Sequence, residues 1–388
     1  MILIDVPDHN FLLVALLIKQ YFGTEEVYLV PRSISRTNES WYEKTPLKDK
    51  VKFLNLETLQ QSVLFAGKKV EYIIMHHNNS YRENLADRIK ALVSSSCSLT
   101  ISLYPDGIAN YVQPRPFKHE FFESLSSDIK FGSFYSFGIK RTVIPDEFSK
   151  KQFKAKTIPI NKVGQIATTL MQYVNYSTDN FWNSISEKLE ASGKTKISII
   201  MLRNWCAPGY GDKYNFGQGT DTLEKIYDNL VKTSYPDNDV LLLIRDDSRS
   251  RTTHPKLVEK LSARLSAYSD VILIPNDFPK YLNFEFFLST MPEELKSNIP
   301  IDLVALDSLS GFFIPFFANK GEVIMGASNQ FIKSHGASET QIVNIGNNVK
   351  ARAKNISAAW NYAIENQQNI SFETKERDGI LTLSFSSK

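Results

Sequence analysis

Short β-rich runs alternate with longer helix-patterned runs along nearly the whole chain, and they do so in two series. That alternation is the strongest constraint on the fold, because β–α–β succession builds parallel sheets covered by helices. The first series offers strands "ILIDV" (2–6), "EVYLV" (26–30), "VKFLNL" (51–56), "VEYIIMH" (70–76) and "TISLYP" (100–105). The second offers "ISIIMLRNW" (197–205), "DVLLLIR" (239–245), "DVILIP" (270–275), "DLVALD" (302–307), "VIMGA" (323–327) and "QIVNIG" (341–346). A helix-patterned stretch ending at the turn "GKTK" joins them, and the chain finishes with an amphipathic run, "KNISAAWNYAIENQ", and an apolar strand, "GILTLSFS". The reading is an α/β chain with two Rossmann-like lobes facing across a cleft. Its expected parts are a first domain over 1–160, a helical connector over 161–195, a second domain over 196–350, and a C-terminal helix and strand over 351–388. A length of 388 residues suits two domains better than one core.

Composition removes several function classes. Two cysteines, Cys97 and Cys206, neither frame a disulfide scaffold nor match a zinc spacing, which predicts a reducing compartment. The apolar start is broken by Asp5, Asp8 and His9 and lacks a basic leader, so it reads as strand, turn and buried helix. No apolar run reaches the roughly 20 residues that span a bilayer. A net charge of +3 gives no electrostatic case for nucleic acid, and no basic stripe with interleaved aromatics appears. Peripheral contact with an anionic membrane surface stays open.

In parallel sheets, ligands gather beyond the carboxyl ends of the strands, so a residue just after a strand is a better candidate than one just before it. The first turn, "DVPDHNF", has no glycine to admit a dinucleotide pyrophosphate, and no GxxxxGK[ST] occurs. The pair Asp237 and Asp239 precedes its strand and reads as a turn, which removes the usual metal ligands of sugar transfer. What survives is a set of strand ends. "YPDG" presents Asp106 and Gly107, which also make an ordinary turn. "MHHNN" presents His76 and His77, which as solvated loop histidines would need no function. "MLRNWCAPGYGDKYNFGQG" is a long loop carrying Arg203, Asn204 and Trp205.

"RTTHPKL" puts His254, with Pro255 at the expected first helical position, among Arg245, Arg249 and Arg251. A helix start favours anions, and Ser or Asp would cap it better than an imidazole. Glu285 in "NFEFF" opens an aromatic helix, where an acid is favourable in any case. "LDSLSGFF" offers Asp307, Ser308, Ser310 and Gly311, equally suited to a phosphate and to an N-cap.

Taken in order, "YPDGIANY", "HP", "NFEFF" and "DSLSGFF" resemble the motifs of bacterial sialyltransferases with a GT-B fold, and most closely those of the capsule polysialyltransferases. The resemblance covers about Leu103 to Phe313. It implies CMP-sialic acid as donor, held mainly by the second domain, and a glycan or glycolipid acceptor approaching the first. Asp106 would take the acceptor's proton, and His254 would sit beside the CMP phosphate. Glu285 would hold the ribose hydroxyls, Ser308 or Ser310 the phosphate, and Asn204 and Trp205 would help enclose the nucleotide. Arg203, Pro255, Gly107 and His76 would flank donor and substrate. Where the family has paired acids this chain has Pro105-Asp106, leaving one carboxylate.

A single phosphate on the anomeric carbon gives a divalent cation no pyrophosphate to chelate, so no metal and no cofactor is expected. Attack opposite the phosphate would invert the anomeric centre. Other CMP-activated acidic sugars, Kdo or pseudaminic acid, would present the same anions, and a non-catalytic glycan- or nucleotide-binding module is the alternative of another class. The resemblance implies work in capsule or lipooligosaccharide synthesis, in the bacterial cytoplasm or at the inner face of its membrane.

Overall fold

The computed structural model describes residues 2–6, 12–23, 26–31, 51–54, 72–76, 100–104, 130–135, 154–157, 162–202, 220–245, 256–279, 282, 284–304, 311, 314–325, 339–340, 350, 353–354, 356–357, 360–361, 370–377 and 380–387. The chain divides into two compact units, Met1–Tyr176 with Pro279–Ser289, and Ser177–Phe278 with Thr290–Lys388.

The first unit contains β1 (Ile2–Val6), α1 (Leu12–Phe22), β2 (Val27–Pro31), β3 (Tyr72–His76), β4 (Thr100–Tyr104), β5 (Lys130–Tyr135), β6 (Lys154–Thr157) and α2 (Lys162–Met171). Its strands lie in the order β2-β1-β3-β4-β5-β6, every pair parallel. Phe53 bridges Leu29 in parallel, so the segment following β2 lies on its far side. Counting that bridge, the order is 3-2-1-4-5-6-7, the doubly wound 3-2-1-4-5-6 with one further parallel strand. Ile2, Leu3, Ile4 and Val6 of β1 are all buried, as are Val27, Leu29 and Val30 of β2, which is the near-continuous apolar reading of strands covered on both faces.

The second unit contains α3 (Asp179–Ser192), β7 (Lys196–Met201), α4 (Thr220–Ser234), β8 (Val240–Arg245), α5 (Leu257–Ser266), β9 (Val271–Leu273), α7 (Glu293–Asn298), β10 (Ile301–Val304), β11 (Lys320–Met325), β12 (Ile370–Arg377) and β13 (Ile380–Ser387). A six-residue helix, α6 (Phe284–Ser289), belongs to the first unit although its sequence lies between β9 and β10. The sheet runs β12-β13-β11-β10-β7-β8-β9. From β9 to β11 it is parallel in the order 3-2-1-4-5, and β13 and β12 extend it antiparallel. Helices pack by apolar spacing: Leu257, Leu261 and Leu265 of α5 recur every fourth residue and are fully buried. Trp182, Ile185 and Leu189, three and then four residues apart, form the buried face of α3. Gly193, at φ 64°, closes α3 in the left-handed conformation that a side chain resists, which is why "GK" ends the helix.

The α/β reading with two Rossmann-like sheets is therefore what the chain forms. The differences lie in the elements. β5 and β6 carry no strong apolar run ("KFGSFY", "KAKT") and escape a sequence reading. "VKFLNL" forms one bridge rather than a strand among the described residues, and "QIVNIG" lies outside them. β12, "ISFETKER", is strand despite its charges because β13 supplies its hydrogen-bond partners over the full length. The helix-patterned stretch before "GKTK" is broken at residues 172–178, where Ser177 Oγ accepts the Asp179 amide at 3.2 Å; Asn, Ser and Thr there offer the backbone competing partners. Among the described residues no helix is long and apolar enough to cross a membrane.

Candidate functional site

Both parallel sheets change winding direction beside their first strand, between β1 and β3 in one and between β7 and β10 in the other. At such a point the loops from two neighbouring strands depart to opposite sides and leave a crevice beyond the carboxyl ends. In the second unit the strands ending there are β7, at Met201, and β10, at Val304, paired in parallel with Val304 opposite Ile200. Adjacent strands lie about 4.8 Å apart. The segments carrying Arg203, Asn204 and Trp205 and carrying Ser308 and Ser310 thus start from neighbouring strand ends. Those five residues themselves lie outside the described residues.

Several contacts hold this rim. The Tyr227 hydroxyl, on the buried face of α4, donates to the Met201 carbonyl at 3.0 Å and pins the strand end. Arg245, the last residue of β8, lies opposite Met201 in register, with its Nη1 3.9 Å from Met201 Sδ. On the far side of the serine segment stands Gly311. A Cβ added there would come within 2.6 Å of Val323 Cγ1, so the glycine lets the chain close onto β11. The serine segment is fastened at Val304 and again at Gly311.

α4 and α5 are tied by charge. Lys232 Nζ lies 3.0 Å from each carboxylate oxygen of Asp228, and Arg264 and Lys260 approach Asp228 and Glu224 at 3.8–4.0 Å. α5 begins at Leu257 with Lys256 as N-cap and no side-chain capping bond. This corrects the expected register: Pro255 precedes the cap instead of occupying the first helical position. Pro255 and His254 both lie outside the described residues, immediately upstream of that helix start.

Glu285 is described. It sits in the first turn of α6, is only 6% exposed, and is flanked by Phe284 and Phe287, whose rings stack at 5.7 Å. Ser289 closes the helix, accepting from Thr168 Oγ1 of α2 at its carbonyl, 3.3 Å. A carboxylate so deep in an aromatic helix is held by more than its place in a first turn. Of the first-unit candidates, the His76 main chain is described. It ends β3 opposite Tyr104 of β4, so Asp106 and Gly107, outside the described residues, follow the strand end beside it.

The opposite, amino-terminal rim of the second sheet holds another polar cluster. Asp302 is 2% exposed; its Oδ2 accepts the Tyr235 hydroxyl at 2.9 Å and its Oδ1 accepts the Glu322 amide at 2.8 Å. Ser384 of β13 donates to Glu322 Oε1 at 2.9 Å. Burial, and then the Glu322 carboxylate, push Asp302 up to about 7, against the bonds from Tyr235 and Glu322 and the Lys196 ammonium. Asp237 and Asp239 sit at this edge too: Asn238 between them adopts φ 50°, and Asp239 pairs with Lys196 at 3.2 Å. They form a turn, as their position before β8 implied. Among the described residues no group of three or more His, Cys, Asp or Glu is arranged to hold a metal ion.

Sequence reasoning did not find Tyr227 or the clamp at Gly311. Tyr227 reads as one more apolar residue of an amphipathic helix, and only the fold shows which carbonyl its hydroxyl reaches.

No family model and no curated protein matches the chain. Among solved structures it is similar to UDP-GlcNAc 2-epimerase from Methanocaldococcus jannaschii, at 10% identity over 81% of this chain and 86% of that one, with a TM-score of 0.43. It is also similar to alpha,alpha-trehalose 6-phosphate synthase from Burkholderia multivorans, at 8% identity over 94% and 95% of the two chains, with a TM-score of 0.39. At that level the fold rests on the strand order itself.

Proposed function

We propose that the chain is an inverting, metal-independent glycosyltransferase of the GT-B type, moving sialic acid from CMP-sialic acid to a glycan acceptor. The observation that carries the proposal is the parallel pairing of β7 with β10 at the winding reversal of the second sheet. It makes the segments bearing Arg203, Asn204 and Trp205 and bearing Ser308 and Ser310 leave from adjacent strand ends, where nucleotides bind in open parallel sheets.

In this reading the acceptor hydroxyl attacks the anomeric carbon while Asp106 takes its proton. The bond from that carbon to the phosphate oxygen breaks, and its electron pair leaves with CMP. His254 as a cation, the amides ahead of α5 and a serine hydroxyl meet the charge appearing on the phosphate. Ser308 or Ser310 supplies that hydroxyl. Glu285 accepts from the ribose hydroxyls, Asn204 and Trp205 help enclose the nucleotide, and Arg203, Pro255, Gly107 and His76 complete the surroundings. A monophosphate leaving group carries less charge than a diphosphate, so protein donors suffice without a cation. The product would serve capsule or lipooligosaccharide assembly at the cytoplasmic membrane's inner face.

The test is CMP release from CMP-sialic acid, in EDTA, across a panel of sialylated and unsialylated glycan acceptors, with CMP-Kdo and CMP-pseudaminic acid alongside. Acceptor-dependent release from CMP-sialic acid supports the reading. Release from another CMP-sugar alone replaces the sugar and keeps the reaction class. A strict requirement for Mg²⁺, or no release with any donor, removes it.

A further inference from the structure

We propose that Ser198, Tyr235 and Asp302 form a buried hydrogen-bond relay that reverses direction when one proton enters or leaves, making the amino rim of the second sheet a pH sensor.

The three side chains converge from three elements. Asp302 on β10 and Ser198 on β7 are paired in register, so both project from the same face of the sheet. Tyr235, one residue beyond α4, reaches that face and donates to Asp302 Oδ2 at 2.9 Å. All three are buried: Ser198 is 0%, Tyr235 1% and Asp302 2% exposed. Ser198 Oγ lies near enough to the Tyr235 hydroxyl to favour the phenolate, yet it makes no aligned hydrogen bond. A buried hydroxyl is seldom left so, because an unmade bond costs more than a made one gains.

Either protonation state of Asp302 engages that oxygen. With Asp302 ionised, the Ser198 O–H turns to Tyr235 Oη while the Tyr235 O–H points at the carboxylate. With Asp302 protonated, its own O–H donates to Tyr235 Oη, and the Tyr235 O–H turns to Ser198 Oγ. The step takes one proton from solvent at Asp302, reorients hydroxyl bonds and breaks no bond between heavy atoms. The Glu322 amide holds Asp302 Oδ1 at 2.8 Å throughout.

Among the described residues, the charged groups facing Asp302 are Glu322 on β11 and Lys196 on β7, and Lys196 is engaged by Asp239 at 3.2 Å. Burial first, and Glu322 next, favour the neutral acid and carry Asp302 up to about 7. Tyr235 does not compete for that proton, since burial first and then Asp302 drive the phenol well above its usual range. The stability conferred by the protonated acid is present below the Asp302 midpoint and withdrawn above it.

The direction of the relay is read by carbon-13 NMR of the aspartate carboxyls, titrated from pH 5 to pH 9 in the full chain. Asp302→Asn assigns the resonance, and thermal midpoints are the folding control. Wild-type Asp302 should titrate near neutrality. Ser198→Ala removes the acceptor that the Tyr235 O–H needs once Asp302 is protonated, so the midpoint should fall by about one pH unit. Ser198→Cys, whose thiol is a weaker acceptor, should lower it by less and serves where Ser198→Ala fails to fold. If Tyr235 only ever donates to Asp302, losing Ser198 weakens that donor and the midpoint rises or stays. A midpoint raised or unmoved in the Ser198 variants therefore overturns the inference, as does a wild-type carboxyl that does not titrate in this interval.

Discussion

The two rims of the second sheet are built from the same strands and differ in what their polar groups do. At the amino rim, Tyr235, Asp302, Glu322 and Ser384 form a chain of hydrogen bonds joining the residue after α4 to β10, β11 and β13, and Lys196 pairs with Asp239. At the carboxyl rim, a tyrosine pins the main chain, an arginine lies against a thioether, and a glycine clamp returns a serine-bearing segment to the sheet. The comparison teaches that burial of a charge does not by itself mark function. Asp302, with its ionisation pushed towards neutrality, is held within the amino-rim hydrogen bonds, at the end of the sheet away from the strand ends proposed to take the ligand.

The largest effects should come from the carboxyl rims. Asp106→Ala and His254→Ala should each lower transfer by about 10²- to 10⁴-fold, the range expected for a general base and for charge stabilisation, with CMP affinity falling more in the second. Steady-state CMP release with direct CMP titration checks both, and full activity in either variant removes that residue's role.

The amino rim should answer to pH instead. Folding raises Asp302 from 3.8 to about 7. A raised carboxyl stabilises the fold while protonated and withdraws that stability as pH rises through the folded value. Unfolding free energy should fall by about 3 kcal/mol between pH 5 and pH 8 from this group alone. Urea midpoints of wild type and Asp302→Asn across that interval test it; equal pH slopes would show that Asp302 does not titrate there.

Gly311→Ala tests whether the serine segment needs its clamp. The added methyl meets Val323, which predicts a loss of about 1–3 kcal/mol of stability together with weaker donor binding. Thermal midpoints and donor KM would be read together, and lost stability with unchanged KM would sever the clamp from the site. The smallest effect belongs to the α4–α5 charges. Lys260 is exposed and 3.8 Å from Glu224, so Lys260→Ala should shift stability by less than about 1 kcal/mol and transfer not at all.

Much of the fold was legible because buried parallel strands are near-continuous apolar runs: "ISIIM", "VLLLI" and "IDLV" announce β7, β8 and β10. β6, "KAKT", was illegible because its strand state depends on pairing with β5, a partner far along the chain. For the candidate site, the strand-end rule selected the segments after β7 and β10 one by one; that these two strands adjoin comes from the pairing of distant segments and was not legible. It did not show that Pro255 stands before the cap of α5. The structure also groups Glu285 with the first unit, while its sequence neighbours belong to the second. Such grouping depends on contacts between distant segments, here α6 with α2, which no local pattern encodes.

The most direct measurement is amide hydrogen exchange with and without CMP. The account predicts slower exchange in residues 202–219 and 305–311, following β7 and β10, with the turn at 236–239 unchanged. Protection confined to that turn, or no protection anywhere in the second unit, would contradict it.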